Sequence, residues 1–204
     1  LPICYLANRL MQSGMPVPYA YQLRYGFGLA HAFINTLLYL DLDRTGFDYP
    51  VVPFHVNCYG GALVRSHGGQ ISPADISNQP DPPAPSAASA FDVGAAIAKA
   101  YADSPWRVAI IGSSSWSHAF LTAKNGWLYP DHASDRVRLA ELRENRFASW
   151  RDLTGKQLEA AGQHELLNWI TLAGAMSALG KKAEIVDYTE SYVLNSNKCF
   201  AVFS

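Results

Sequence analysis

Apolar residues recur at helical spacing from the start of the chain. Ile3, Leu6, Ala7, Leu10 and Met11 share one face, and Gly14 follows where a helix C-cap belongs. The period then changes. Residues 17–25 (VPYAYQLRY) alternate in the manner of a strand, broken by Gly26 and Gly28. Residues 49–58 (YPVVPFHVNC) are β-rich and almost continuously apolar, as expected of a strand covered on both faces. Between 60 and 86 the pattern dissolves into Gly, Ser, Asn and the prolines Pro73, Pro80, Pro82, Pro83 and Pro85, which predicts a long loop. A loop of that length inside a compact domain is usually functional or covers an interface.

Helical periodicity returns over 89–102, with small residues suited to close packing, and a strand is expected at 106–113. The charged, amphipathic stretch 135–147 predicts a surface helix. Thr154-Gly155-Lys156-Gln157 has the form of a capping box, and 165–179 predicts a strongly apolar helix closed by Gly180. AEIVDY (183–188) and KCFAVFS (198–204) finish as strands. Strands alternating with helices predict an α/β fold: a three-layer domain with a central, mostly parallel or mixed sheet flanked by helices.

Composition narrows the partners. With 49% hydrophobic residues the chain can bury a real core, yet it has no apolar run long enough to span a membrane. A net charge of −1 gives no footprint for nucleic acid or anionic lipid. Cys4, Cys58 and Cys199 lie far apart without CxxC spacing, so neither a disulfide framework nor a structural zinc site is expected, and a reducing, cytoplasmic setting is the default. LPICYLANRLMQSG carries no secretory signal, and it reads as a helix already under way, which predicts a chain that starts in mid-domain.

In open α/β sheets ligands gather beyond the carboxyl ends of strands, which singles out His118 after 106–113, and His55 and Asn57 at the end of 49–58. His118 reads as an acid/base or as a loop histidine satisfied by hydrogen bonds. His31 reads as an active-site donor or a structural residue. His67 lies in the loop, His132 suits helix capping, and His164 points away from its neighbour Glu165 on a helix. Glu165 precedes a run that must be buried, so its charge needs a partner or a metal; the alternative is a glutamate favoured by the helix macrodipole. The serines at 113–115 invite a hydrolase reading, but GSSSWSH is not G-x-S-x-G, and no HExxH, Walker A or GxGxxG occurs.

At these residues the sequence resembles the class III extradiol ring-cleavage dioxygenases, the family of the protocatechuate 4,5-dioxygenase catalytic subunit and the gallate dioxygenases. Leu29-Ala30-His31-Ala32-Phe33 resembles the family's L-D-H-G-F block, and PVVPFHVNCYG resembles its P-V-x-P-x-x-V-N strand. IIGSSSWSHAF resembles the G-G-x-S-H block that holds the catalytic histidine, here His118. GQHELLNW resembles the helix start bearing the metal-binding glutamate, here Glu165, and the separation of 47 positions suits the family. The chain departs from the family at Ser114-Ser115 and Trp116, and at Ala30 and Ala32 beside His31.

The resemblance implies Fe(II) held by two histidines and a glutamate, with a catechol-type aromatic and O2 as reactants. His118 would be the acid/base and His31 a second pocket histidine, with Asn57, Tyr59, Ser117, Ser196 and Asn197 near the substrate. It also implies that both metal histidines lie upstream of the His31 block. The 204 residues would then be the C-terminal two-thirds of one catalytic-type domain, with Glu165 one ligand of three. The other two ligands would come from an absent N-terminal segment or another chain, and an oligomer is expected. Two alternatives remain: a non-catalytic subunit or interaction protein of the same fold with an incomplete metal site, and a metal-independent Ser/His hydrolase.

Overall fold

In a computed structural model of the chain, residues 2–22, 28–60 and 82–204 are described. Helix α1 (Pro2–Gln12) forms where the apolar stripe predicts it, burying Leu6, Ala7 and Leu10 while Met11 stays exposed. The chain turns at Gly14, and the Met15 N–H closes on the Leu10 carbonyl at 2.9 Å. Helix α2 (His31–Leu40) comes next in the chain and buries no residue fully. Leu6 and Leu10 pack on Ile97 and Ala100 of the long helix α3 (Ala87–Ala102), with Phe54 and Ile110 at the edge of the contact.

The centre of the molecule is the contact between α3 and a later helix, α6 (Leu166–Ala178). Gly94 faces Thr171 and Gly174 faces Phe91 so closely that a Cβ on either glycine would overlap the opposing carbonyl. Small residues thus bring two helix backbones together, and dispersion contacts accumulate along the seam. Leu166, Leu167 and Ile170 are the buried ridge of α6, joined by Trp116, Leu142 and Trp150.

Helix α4 (His132–Arg143) is capped by the Asp131 side chain on the Ser134 N–H, and its inner stripe is His132, Asp135, Leu139 and Leu142. His132 is therefore not the cap that its position suggested: it is buried against the rings of Tyr129 and Tyr192. Nor is the helix a plain surface element, since Asp135 is fully buried. A 3₁₀ turn (Phe147–Asp152) follows, then α5 (Gly155–Ala160), which opens on the capping box expected at Thr154 and Gln157. Strands β1 (Ala183–Thr189) and β2 (Lys198–Phe203) pair antiparallel. An irregularity between Ile185 and Asp187 lets Ile185 and Tyr188 both face the core, opposite Cys199, Ala201 and Phe203.

The three-layer α/β expectation is overturned. The described residues are predominantly helical, and their one sheet is the two-stranded β1–β2 pair. Segments 49–58 and 106–113 form neither helix nor strand and pair into no ladder with described residues, and 17–22 is irregular. An apolar run sets side-chain burial, whereas a strand also needs a neighbouring backbone for its N–H and C=O groups. Burial is incomplete here as well: Val51, Val108 and Ile111 are exposed. Most of the predicted 60–86 loop, with His67, and the end of the 17–25 segment lie outside the described residues.

Candidate functional site

Three stretches of chain meet around His118. The Ser113–Ser117 turn is fastened at several points: the Ser113 hydroxyl donates to the Ala32 carbonyl of α2 (3.1 Å), and that of Ser114 to the Glu165 carbonyl (2.9 Å). The Trp169 indole donates back to the Ser114 carbonyl (3.0 Å) and meets Trp116 edge-on. His118 then donates its backbone N–H to the Gly162 carbonyl (3.1 Å) and forms an isolated antiparallel bridge with Ser196. The next residue, Ala119, donates to the Asn195 carbonyl (2.7 Å). Gly162 has a positive φ of 63°, and a Cβ there would lie 2.5 Å from Thr122 Oγ1 and 3.1 Å from the His118 carbonyl. Only glycine fits this approach without strain.

Glu165 stands at the start of α6 but does not cap it. Its carboxylate turns to the site instead. Oε1 accepts the Tyr59 phenolic O–H at 2.6 Å, and Oε2 lies 3.6 Å from His118 Nε2. Burial pulls the His118 pKa below the ordinary histidine value; Glu165 opposes that shift, and Lys198 adds to it. Burial, then the hydrogen bond to Glu165, raises the Tyr59 pKa, so the phenol keeps its proton. His164 stacks on the Tyr59 ring at 5.9 Å, and burial lowers its pKa too. Cys58 is pushed up to about 12, by burial first and Glu165 second.

The remaining sequence candidates divide. Ser196 is buried beside His118, its hydroxyl 3.0 Å from Ser115 Oγ and accepting from Lys198 Nζ at 2.7 Å. Ser117 and Asn197 turn their side chains to Asp135. Asn57 is exposed, accepting the Tyr59 N–H, and His31 is exposed at the first residue of α2. Ser113, Ser114, Ser115 and Ser117 all have hydroxyl partners other than His118, and His118 Nδ1 is buried without a hydrogen-bond partner among the described residues.

With this geometry in place, residues 76–201 match the family described as the catalytic LigB subunit of aromatic ring-opening dioxygenase. The chain belongs to this family. The matched span holds His118 and Glu165 and leaves Tyr59 and His31 upstream. No curated protein and no solved structure matches the chain.

Iron, which membership of the LigB family implies, can be tested against the donors present. Among the described residues, no group of three His, Cys, Asp or Glu side chains gathers where one ion would sit. Glu165 and His118 supply two candidate donors, and the adjacent Tyr59 oxygen is held protonated. The described donors therefore do not fit a resident iron on their own. No described helix of this LigB-family chain is long and apolar enough to cross a membrane.

Sequence reasoning missed Asp135, Gln163 and Lys198. For Asp135 the signal was present, because positions 135, 139 and 142 share one helical face and the latter two are leucines. A charge on that stripe had to be buried with partners.

Proposed function

We propose that the chain is a unit of the ring-opening dioxygenase fold that carries the acid–base half of a site and acts with a partner, without completing a metal centre by itself. The observation that supports this reading is the His118–Glu165 contact at 3.6 Å, with no third metal-type donor beside it among the described residues. The buried imidazole favours its neutral form, so it accepts a proton from an acidic hydroxyl. The Tyr59 phenol fixes the direction of the Glu165 carboxylate.

A second reading draws on the family match together with the convergence of Tyr59, His118 and Glu165. In it, two histidines from a complementing segment or chain join Glu165 to bind Fe(II), and the assembly cleaves a catechol-type aromatic of the protocatechuate or gallate kind with O2. His118 then takes the proton of a catechol hydroxyl, Ser196 contacts a ring substituent, and Asn57 and His31 lie at the pocket margin. A reducing, cytoplasmic setting suits the ferrous ion and the free thiols.

Anaerobic Fe(II) titration of the 204-residue chain, followed by air and a protocatechuate and gallate panel, tests the first reading. The first reading expects no stoichiometric iron and no yellow ring-fission product. Tight one-to-one iron and product, both abolished in Glu165→Ala, would overturn it. Under the second reading iron and product arise only in the assembly with the complementing segment or chain, where His118→Ala keeps the iron and loses the product.

A further inference from the structure

The geometry points to Asp135 as the residue that positions His118 against Glu165, by holding the chain beside each of them and beside Ser196 on one buried carboxylate. The Asp135 side chain is fully buried and receives four hydrogen bonds. Oδ1 accepts the Ser117 backbone N–H (3.2 Å) and the Gln163 side-chain amide (2.7 Å). Oδ2 accepts the Ser117 hydroxyl and the Asn197 side-chain amide, each at 2.7 Å.

These donors are placed with respect to the site. Ser117 immediately precedes His118, Gln163 stands two residues before Glu165, and Asn197 follows Ser196, the bridge partner of His118. The carboxylate thus binds the three stretches whose backbones also meet at His118 N–H to Gly162 and Ala119 N–H to Asn195. Leu139 and Leu142, one and two turns along the same face of α4, anchor it in the core.

The ionised form is the one this cage is built for. Ser117 N–H and the amide nitrogens of Gln163 and Asn197 are donors that cannot accept a proton back. Burial raises the Asp135 pKa and the surrounding donors oppose that rise. In Asp135→Asn, one oxygen becomes an NH2 group that faces donors in either orientation. Turning the Asn197 amide would relieve the clash on one side, but Asn197 Oδ1 already accepts the Ser191 N–H at 3.0 Å. A charge swap resolves this. In D135N/N197D the amide introduced at position 135 can donate to the carboxylate introduced at position 197, which keeps its other oxygen for Ser191.

This role rests on His118 and Glu165 being the working pair, and its test needs neither iron nor turnover. Amide hydrogen exchange is followed in the 204-residue chain, in D135N and in D135N/N197D, together with the His118 Hε1 resonance. In D135N the His118 and Ala119 amides should exchange about tenfold faster while the α3 and α6 amides keep their protection. The His118 resonance should move, and the swap should restore both signals. If D135N does not fold, the swap decides alone: recovered protection at His118 and Ala119 supports positioning, and its absence overturns it. Uniform loss of protection across α3 and α6, unrescued by the swap, would make Asp135 an ordinary core residue. A negative iron titration leaves these outcomes unchanged, so the two readings fail separately.

Discussion

Tyr59 and Glu165, 106 positions apart, meet through an O–H···O bond of 2.6 Å. One lies just after the apolar segment 49–58, the other at the mouth of the central helix, so the bond ties the two halves of the site. Tyr59→Phe keeps the ring against His164 and removes only this donor. Because Glu165 is partly exposed, water replaces some of the loss, and the variant should be less stable by about 1 kcal/mol. Urea unfolding followed by far-UV circular dichroism checks the value; an unchanged midpoint would mean that the bond contributes nothing net.

Acid should weaken the fold through its buried imidazoles. Burial holds both His118 and His164 below the ordinary histidine value. The unfolded chain therefore binds protons first, and stability falls as pH drops from about 6.5 toward the folded values. The contribution is fully present above that window. Urea midpoints at about pH 7.5 and about pH 5.5 should differ, and His164→Asn should narrow the difference. A midpoint that rises on acidification would reverse the sign.

Gly162→Ala should be severe for the addition of a single methyl group. That methyl meets Thr122 Oγ1 and the His118 carbonyl, on a backbone whose φ lies in the left-handed region. Conformational strain and overpacking together predict a loss of about 3 kcal/mol. Thermal unfolding would show it, and a melting point within a degree of the parent would contradict the close approach.

The α3–α6 seam makes a parallel prediction with a different readout. Gly174→Ala would push the two helices apart at Phe91, and the loss should again reach about 3 kcal/mol. Near-UV circular dichroism should lose its fine structure before far-UV helicity declines, since the packing fails and the helices do not. Retention of both signals would refute the seam.

Most of the helices were legible because each carries its own signal: the apolar stripe of α1, the capping box at Thr154, and the strongly apolar run from Leu166; α2 was not foreseen. His118 and Glu165 were legible as candidates from position, and the structure brings them together. The sheet was not. Residues 49–58 and 106–113 have the composition of buried strands, but pairing depends on a second backbone that no local pattern encodes. Asp135 was misread for a related reason: a charged residue in a charged helix is assigned to solvent unless its register with Leu139 and Leu142 is checked. Lys198 is brought to Ser196 and Ser115 by the β1–β2 pairing and its loop, a long-range event.

The indoles beside the Ser113–Ser117 turn give the protein a built-in optical reporter. Trp116 and Trp169 are nearly dry, lie edge to face at 5.5 Å, and Trp169 is hydrogen-bonded to a turn whose Ser114 hydroxyl rests on Glu165. Their emission should be blue and sensitive to that turn, over a blue contribution from the buried Trp150, whereas the more exposed Trp106 and Trp127 should emit further to the red. Any ligand, ion or partner chain that shifts Glu165 should therefore register as a change in the blue edge of the fluorescence, with no label attached.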